Sequence, residues 1–455
     1  MKTITTTNPA TNEVLKEYTL HTAKELEQII KETEKAFQIN RQTSIDNRAK
    51  LMRKAADLLE ERKSMLARTM TNEMGKTFSS GEAEVEKCTW VCRYYADKAK
   101  EFLADEMVDS DASKSYISYQ PLGVVLAVMP WNYPLWQVFR FAAPALMAGN
   151  AALLKHASNV PEAALQIEKI FLDAGFPKHS FSTLIISNDA VESILENDIV
   201  KAATLTGSGP AGQAVASTAG NNIKKTVLEL GGSDPYLILE DADLDYAAEQ
   251  CCTSRLINTG QSCISAKRFI VVEKIYDQFL EKFRARMSAA IIGDPRKAVD
   301  LGPMARHDLR DEVHQQVVDS VSKGANLELG GAIPESKGAY YPPTILTNVS
   351  PGMPAYEDEI FGPVASVIKV TDEAEAIKVA NNTSFGLGSC VFTKDGERGE
   401  KIAREQIEAG SCFVNHFVKS DPRLPFGGIK TSGYGRELSY YGIREFVNIK
   451  TVYVK

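Results

Sequence analysis

The segment KAATLTGSGPAGQAVA (residues 201–216) contains the transition that decides the fold. Its first seven residues predict a buried strand, and the residues after Ser208 predict a helix. Gly207, Gly209 and Gly212 permit a sharp turn that leaves the helix N-terminus open to a phosphate group. Their spacing is close to the dinucleotide-binding fingerprint but differs from it, so an ordinary strand–helix turn explains the segment equally well.

The same alternation of apolar strands and helices continues on both sides of this segment. Strands are predicted at 151–155, 181–186 and 226–230, with a helix at 160–174. A second set of strands, with helices between them, is predicted near residues 268–273, 364–369, 387–392 and 411–414. Short buried strands separated by helices predict parallel sheets with right-handed crossovers. We therefore expect an α/β protein of two halves, with its chemistry in the cleft between them.

The two ends of the chain have other patterns. Amphipathic helices rich in Glu, Lys, Ala and Leu are predicted at 22–39, 45–68 and 82–104, and extended segments at 116–131 with a turn at 120–123. The last residues, EFVNIKTVYVK (445–455), predict a surface strand. A terminal strand needs a partner, which another subunit can provide.

Length and charge exclude several classes of protein. A chain of 455 residues exceeds one ordinary domain, and 44% hydrophobic with 24% charged residues is typical of a soluble globular protein. The net charge of −7 argues against a nucleic-acid or anionic-membrane partner. The N-terminus has no apolar signal segment and no later run is long enough to span a bilayer, so we expect a cytoplasmic protein.

The cysteines and histidines do not predict a metal site. The seven cysteines are irregularly spaced without two CxxC motifs, and the six histidines form no HxxxH pair. An odd number of scattered cysteines favours a reducing compartment.

Cys263, within NTGQSCIS (258–265), lies among small and polar residues, unlike most core cysteines. Gly260 and Ser262 permit close approach of a substrate. If a helix begins near Cys263, its N-terminal amides would favour the thiolate and could hold an oxyanion. Taken alone, an inert cysteine remains the better explanation.

Two further residues have both a catalytic and a structural explanation. Glu229 ends an apolar strand, where burial of a carboxylate is unfavourable unless it has a catalytic role or a bonding partner. It is either a general base with a raised pKa or a structural ion pair or cap. Asn132 lies between Pro130 and Pro134 at a predicted strand-to-helix junction, where it is either an oxyanion donor or a helix cap.

In their order along the chain, these segments resemble the aldehyde dehydrogenase superfamily. The resemblance covers nearly the whole chain, and six motifs together with one lysine, all in the right order, make chance implausible. The motifs are Pro130-Trp131-Asn132, Lys155, Gly207-Ser208, Glu229-Leu230-Gly231-Gly232, Gly260-Gln261-Ser262-Cys263, Glu359-Ile360-Phe361-Gly362-Pro363 and Pro425-Phe426-Gly427-Gly428.

The resemblance implies a Rossmann-like cofactor-binding domain, an α/β catalytic domain and a small β oligomerisation arm, in a homodimer or homotetramer. The expected bounds are 1–112 and 128–229 for the cofactor-binding domain, 113–127 and 445–455 for the arm, and 230–444 for the catalytic domain.

It also implies roles for the residues discussed above. Cys263 would attack the aldehyde, with Asn132 and the Cys263 backbone N–H holding the oxyanion. After hydride transfer, Glu229 would activate the water that hydrolyses the thioester. Relatives that transfer the acyl group to coenzyme A usually lack this glutamate, so a free acid is expected. The implied cofactor-binding residues are Trp131, Lys155, His156, Ala157, Ser158, Gly207, Ser208, Leu230, Gly231, Glu359 and Phe361.

The choice of cofactor depends on LLKHAS (153–158). Relatives that prefer NAD often carry a glutamate three residues after the lysine, where this chain has Ser158. Lys155 and a hydroxyl can accept a 2′-phosphate, so we expect NADP to be favoured, with NAD as the alternative. The position after the lysine is often proline in relatives and is His156 here.

The choice of substrate depends on Arg140. If a helix begins near Pro134, Trp136 and Arg140 share a face of it near the nucleophile. A buried Arg needs an anion, either a substrate carboxylate or a neighbouring acid. Ser262 and Ser420 could also bind that carboxylate. This set resembles that of succinic semialdehyde dehydrogenases, especially the shorter bacterial type.

Two alternatives remain open at this point. The substrate could be glutarate semialdehyde or another aldehyde, because one methylene changes binding by only about 1–3 kcal/mol. In a different class, the chain could be a catalytically silent relative that acts as a binding protein. The presence of Cys263, Glu229 and Asn132 together argues against this second alternative.

Overall fold

The computed structural model describes residues 2–455. In chain order its strands are β1 (Thr3–Thr7), β2 (Val14–Thr19), β3 (Glu106–Met107), β4 (Lys114–Pro121), β5 (Val124–Met129), β6 (Ala151–His156), β7 (Phe181–Thr183), β8 (Val200–Thr206), β9 (Lys225–Glu229), β10 (Pro235–Ile238), β11 (Arg268–Val272), β12 (Asn326–Leu329), β13 (Thr344–Thr347), β14 (Val364–Val370), β15 (Gly388–Phe392), β16 (Ser411–Val414), β17 (Gly433–Tyr434) and β18 (Val447–Val454). The helices are α1 (Ala23–Gln42), α2 (Ile45–Glu61), α3 (Lys63–Met74), α4 (Phe78–Phe102), α5 (Trp136–Ala148), α6 (Pro161–Ala174), α7 (Ala190–Glu196), α8 (Gly209–Asn221), α9 (Leu244–Leu256), α10 (Tyr276–Ser288), α11 (His307–Ser322), α12 (Pro354–Glu357), α13 (Glu373–Asn381), α14 (Gly396–Glu405) and α15 (Ser439–Arg444).

A six-stranded sheet forms the first half of the molecule, in the order β17-β9-β8-β5-β6-β7. All its neighbouring strands are parallel except β17 and β9. Successive residues of a strand face opposite sides, so Val125 and Ala127 of β5 join a core with α2, α4, α5 and α6. Val124 and Leu126 join a second core with α1 on the other face. Burial of both faces explains why β5 is apolar throughout.

The second half is a seven-stranded sheet in the order β12-β13-β14-β11-β10-β15-β16. Its neighbouring strands are parallel except for the edge strand β12. The sheet has its own core, which includes Phe269 of β11 and Phe279 and Phe283 of α10. Two largely parallel sheets with helices between their strands confirm the predicted α/β fold class.

A three-stranded sheet in the order β18-β4-β3 contains the C-terminal strand. β18 pairs with β4 antiparallel, from Val447 opposite Pro121 to Val454 opposite Lys114. Both predicted ends of the segment 113–127 need correction: β3, which precedes residue 113, belongs to this small sheet, and β5, which begins before residue 128, belongs to the six-stranded sheet. The chain changes sheet at Gly123, which has a φ of +142° and lies in the segment 120–123, where the sequence predicts a turn.

The helices near the N-terminus largely follow the predicted periodicity. The predicted helix over 45–68, however, is divided into α2 and α3 at Arg62, whose backbone angles are φ −98° and ψ 10°. Its guanidinium pairs with Asp173 of α6 at 2.7 Å. The apolar periodicity continues through this bend, so the sequence contained no sign of it. None of the helices within residues 2–455 combines the length and apolarity needed to cross a bilayer.

Candidate active site

The candidate site lies at one edge of the six-stranded sheet. The parallel strands β6, β5, β8 and β9 are consecutive neighbours, so their carboxyl ends lie along the same edge. The residues that follow these ends are 157–158, 130–132, 207–208 and 230–231, and all were predicted to be functional. In open α/β sheets, ligands bind outside the carboxyl ends of the strands.

A first cavity opens at this edge. It brings together all three predicted catalytic residues and seven of the predicted cofactor residues: Asn132, Glu229 and Cys263, with Trp131, Gly207, Ser208, Leu230, Gly231, Glu359 and Phe361. The Trp131 and Phe361 rings meet edge to face, with centroids 5.7 Å apart. α8 begins directly after Ser208, and no side chain within residues 2–455 caps its N-terminal N–H groups. These groups suit a phosphate, so the cavity fits a dinucleotide.

Glu359 is fixed at the wall of this cavity. Its carboxylate accepts the backbone N–H of Gly232 at 3.0 Å and lies 3.3 Å from the Lys267 ammonium. A Cβ at Gly231 would collide with the Glu359 carboxylate, so a side chain there would displace this carboxylate from its present position. The glycines of the Glu-Leu-Gly-Gly motif therefore let this carboxylate approach the backbone closely.

A second cavity meets the first at Cys263 and Gln137, which line both. It contains all the predicted substrate residues: Trp136, Arg140, Ser262 and Ser420. It also contains Lys87 and Lys419. The thiol thus lies between a cavity that fits a dinucleotide and a cavity with cationic side chains in its wall.

The surroundings of Cys263 do not include the helix start that the sequence left open. Residues 261–267 form turns and not a helix, and the turn before them contains Asn258 and Thr259 with φ of +53° and +57°. Burial raises the pKa of Cys263 to about 12, although the nearby Arg140 and Lys267 oppose this shift. The expected helix amides are therefore absent within this segment, and the thiol is protonated at neutral pH in the free protein.

Asn132 is fixed by the segment before the thiol. The Asn132 side-chain N–H donates to the Gln261 backbone carbonyl at 3.1 Å. The backbone carbonyl of Asn132 accepts a hydrogen bond from the Asn258 side-chain amide at 2.8 Å. The helix-cap explanation of Asn132 is wrong, because Glu84 accepts the backbone N–H groups of Leu135 and Trp136 at 2.8 and 2.9 Å. An amide has two N–H donors, so Asn132 retains one for an oxyanion.

Glu229 is buried at the end of β9, and neither of its carboxyl oxygens has a hydrogen-bond partner within residues 2–455. Burial raises its pKa well above the ordinary value; the charge of Glu437 adds to this shift, and Arg140 and Arg436 oppose it. A Cβ at Gly427 would lie 2.7 Å from its Oε1, so the Pro-Phe-Gly-Gly loop leaves room for the carboxyl group. These contacts do not match the structural ion pair or cap that was the alternative for Glu229.

Arg140 is only 2% exposed and forms an ion pair with Glu437. Its guanidinium also lies over the Phe426 ring, 4.6 Å from the centroid. The neighbouring acid that the sequence left open as an alternative is therefore present. Since Arg140 also lines the second cavity, it contributes a positive charge there that Glu437 already balances in part.

Residues 155–158, which end β6 and follow it, lie outside both cavities. Lys155 is 7% exposed and belongs to no ion pair within residues 2–455, whereas Ser158 is exposed. His156 is buried, with Nε2 2.9 Å from the Pro134 carbonyl and Nδ1 accepting the Ala157 N–H at 2.8 Å. Both ring nitrogens of His156 therefore already have hydrogen-bond partners in the protein. The predicted cofactor contact needs correction for this ring, because it has no free nitrogen to offer a cofactor.

Sequence reasoning missed four residues of this site. Glu84 caps α5, Gln137 lies where the cavities meet, Glu437 pairs with Arg140, and Lys87 lines the second cavity. Glu84 and Lys87 lie on α4, within a predicted amphipathic helix where acids and lysines are ordinary surface residues. Only the packing of α4 against α5 turns them towards the site.

Residues 1–452 match the aldehyde dehydrogenase family. The chain is 52% identical over 455 residues to succinate-semialdehyde dehydrogenase [NADP(+)] 1 of Mycobacterium tuberculosis, with 99% of each chain covered. It is 52% identical over 455 residues, with the same coverage, to succinate-semialdehyde dehydrogenase [NADP(+)] of Mycobacterium leprae. The crystal structure of succinic semialdehyde dehydrogenase from Streptococcus pyogenes in complex with NADP+ is 39% identical, with a TM-score of 0.97 over 99% of both chains. The chain belongs to the aldehyde dehydrogenase family.

Proposed function

We propose that this chain oxidises succinic semialdehyde to succinate with NADP, and accepts NAD less well. The observation that carries the proposal is the position of Cys263, where a cavity that fits a dinucleotide meets a cavity with cationic walls. An aldehyde in the second cavity is then between the thiol and the cofactor. The names of the relatives support both the acidic aldehyde and NADP.

In the proposed reaction, the Cys263 thiol releases its proton to water, and the sulfur bonds to the aldehyde carbon. The oxyanion that forms accepts hydrogen bonds from the second N–H of Asn132 and from the Cys263 backbone N–H. This backbone N–H donates to no other protein acceptor in residues 2–455. Bound NADP supplies the hydride acceptor. A thioester on Cys263 then remains, and Glu229 takes a proton from the water that attacks it. The carbon–sulfur bond breaks, the acid leaves and the thiol is restored.

Two groups of residues complete the proposed site. Trp131, Gly207, Ser208, Leu230, Gly231, Glu359 and Phe361 bind the dinucleotide, with Lys155, Ala157 and Ser158 at its adenosine end. The free ammonium of Lys155 and the absence of an acid at Ser158 suit a 2′-phosphate. Trp136, Arg140, Ser262 and Ser420 bind the acidic aldehyde in the second cavity.

The domain division and the assembly are part of the same proposal. The six-stranded sheet forms the cofactor domain, the seven-stranded sheet the catalytic domain, and β3, β4 and β18 the arm. β18 is an edge strand with Ile449 and Tyr453 exposed at 62% and 50%, which supports a homodimer or homotetramer joined through this strand. The seven free cysteines support a cytoplasmic location.

Product analysis tests the proposed reaction. The purified protein should convert succinic semialdehyde and NADP into equal amounts of succinate and NADPH without coenzyme A. A protein in which Cys263 is replaced by Ala is the matched control and should form neither. Formation of a product only when coenzyme A is added, or oxidation of other aldehydes but not this one, would contradict the proposal.

A further inference from the structure

Lys87 lies in the wall of the second cavity with an unbalanced charge. It is on α4, and its ammonium donates to the Ser420 hydroxyl at 2.7 Å. Its Nζ also lies over the Trp136 ring, 4.3 Å from the centroid. No carboxylate pairs with Lys87 within residues 2–455, in contrast to Arg140, which has Glu437. An ammonium has three donors, so two remain for a ligand after Ser420 is bound.

The acidic groups near Lys87 do not balance its positive charge. The charged or titratable groups that act on it are Arg140, Cys88, Glu84 and Asp421. Glu84 is paired with Lys76 and Asp421 with Arg423, so both acids already have cationic partners. Burial, with the positive charge of Arg140, lowers the pKa of Lys87 to about 8. At pH 7 most of the side chain is still charged, and a bound anion would raise its pKa again.

We propose that Lys87 is a specificity-determining residue that binds the carboxylate of the aldehyde substrate together with Ser420. Arg140 has a smaller share of this contact, because Glu437 already balances its charge. This proposal rests on the proposed function above, since it assumes that the occupant of the second cavity is an acidic aldehyde. It adds to that function a residue from α4, a helix that the sequence analysis did not connect with the site.

The test compares three lysine variants by the ratio of kcat/KM for succinic semialdehyde to kcat/KM for butanal. Lys87→Met keeps an unbranched stem against Trp136 and removes the charge, and Lys87→Arg keeps the charge. Lys419→Met is the matched control, because Lys419 lines the same cavity next to Ser420 but is exposed. We expect the ratio to fall ~10²-fold in Lys87→Met and less than ~10-fold in the other two.

Direct binding of succinate by calorimetry separates this proposal from the proposed function, because it needs no turnover. Lys87→Met should weaken succinate binding at least ~10-fold. In the wild type, binding should weaken above pH 8 as Lys87 loses its charge, and Lys87→Arg should remove that dependence. If Lys87→Met changes neither the ratio nor succinate binding, the carboxylate lies elsewhere and the proposal for Lys87 is wrong. If the wild type binds no succinate and shows no preference for the acidic aldehyde, both the proposed substrate and the proposed role of Lys87 are wrong.

Discussion

The Asn132 side-chain amide donates to the Gln261 carbonyl at 3.1 Å, two residues before Cys263 in the chain. This contact joins the loop after β5 to the segment that carries the thiol, and it orients the second N–H of the amide. Replacement of Asn132 by Ala removes both the contact and the oxyanion donor. We expect kcat/KM to fall ~10²–10³-fold, as is typical for loss of one such donor.

Steady-state kinetics of Asn132→Ala with the acidic aldehyde measure this effect. Asn132→Asp is the informative companion, because it keeps the size of the side chain but removes the N–H donors. Activity close to that of the wild type in both variants would mean that the oxyanion is held by other groups.

Replacement of Glu229 by Gln should divide the reaction into its two halves. The amide cannot take a proton from water, so the thioester on Cys263 should accumulate after one turnover. Rapid mixing should show a burst of NADPH close to one per active site, followed by a steady state at least ~10²-fold slower than the wild type. Mass spectrometry of the quenched protein should find the acyl group. If neither the NADPH burst nor the acyl-enzyme is found, Glu229 acts before hydride transfer instead.

Glu437 should set the pH at which Glu229 becomes active as a base. Glu229 must be deprotonated to act, and after burial the charge of Glu437 is the largest cause of its raised pKa. Replacement of Glu437 by Gln removes that charge and frees Arg140, so the pKa of Glu229 should fall. The acid limb of the kcat profile should therefore move to lower pH.

Glu445→Gln is the control for that shift. Glu445 also raises the pKa of Glu229, but it contributes least among the causes and already pairs with Lys225 at 2.7 Å. The acid limb of the kcat profile should move less in Glu445→Gln than in Glu437→Gln. Equal shifts in both variants, or none, would show that Glu437 does not control the base.

Ser158 should control the choice between NADP and NAD. A glutamate at this exposed position, near the end of β6, would repel a 2′-phosphate. Ser158→Glu should lower kcat/KM for NADP by ~10²-fold and change that for NAD much less. Ser158→Ala removes the hydroxyl without adding a charge and should have a smaller effect. An unchanged cofactor ratio in Ser158→Glu would mean that the adenosine end binds away from this residue.

The parts of the site that were predictable from the sequence are those fixed by strand ends. Asn132 and Gly207 follow β5 and β8, and Glu229 ends β9, so the predicted parallel strands place all three at one edge of the sheet. The position of Lys87 could not be predicted in this way, because it depends on how α4 packs against α5. The partner of Arg140 was unknown for the same reason: Glu437 is almost 300 residues away in the chain.

Local conformation was harder to predict than the overall order of elements. The expected helix at Cys263 does not form, because the chain there turns through residues with positive φ, including Asn258 and Thr259. Such backbone is rare for residues other than glycine and leaves no clear pattern in the sequence. Activation of the thiol therefore does not rest on a helix N-terminus; the groups that lower the pKa of Cys263 are the nearby cations Arg140 and Lys267.

The most direct test of the central claim is kcat/KM of the wild type for succinic semialdehyde and for butanal, each measured with NADP and with NAD. The two aldehydes have the same chain length and differ by the carboxylate. We expect succinic semialdehyde to be preferred by at least ~10²-fold and NADP to be preferred over NAD, because charged partners in the site would otherwise remain unpaired. Similar values for both aldehydes, or a clear preference for NAD, would contradict the account.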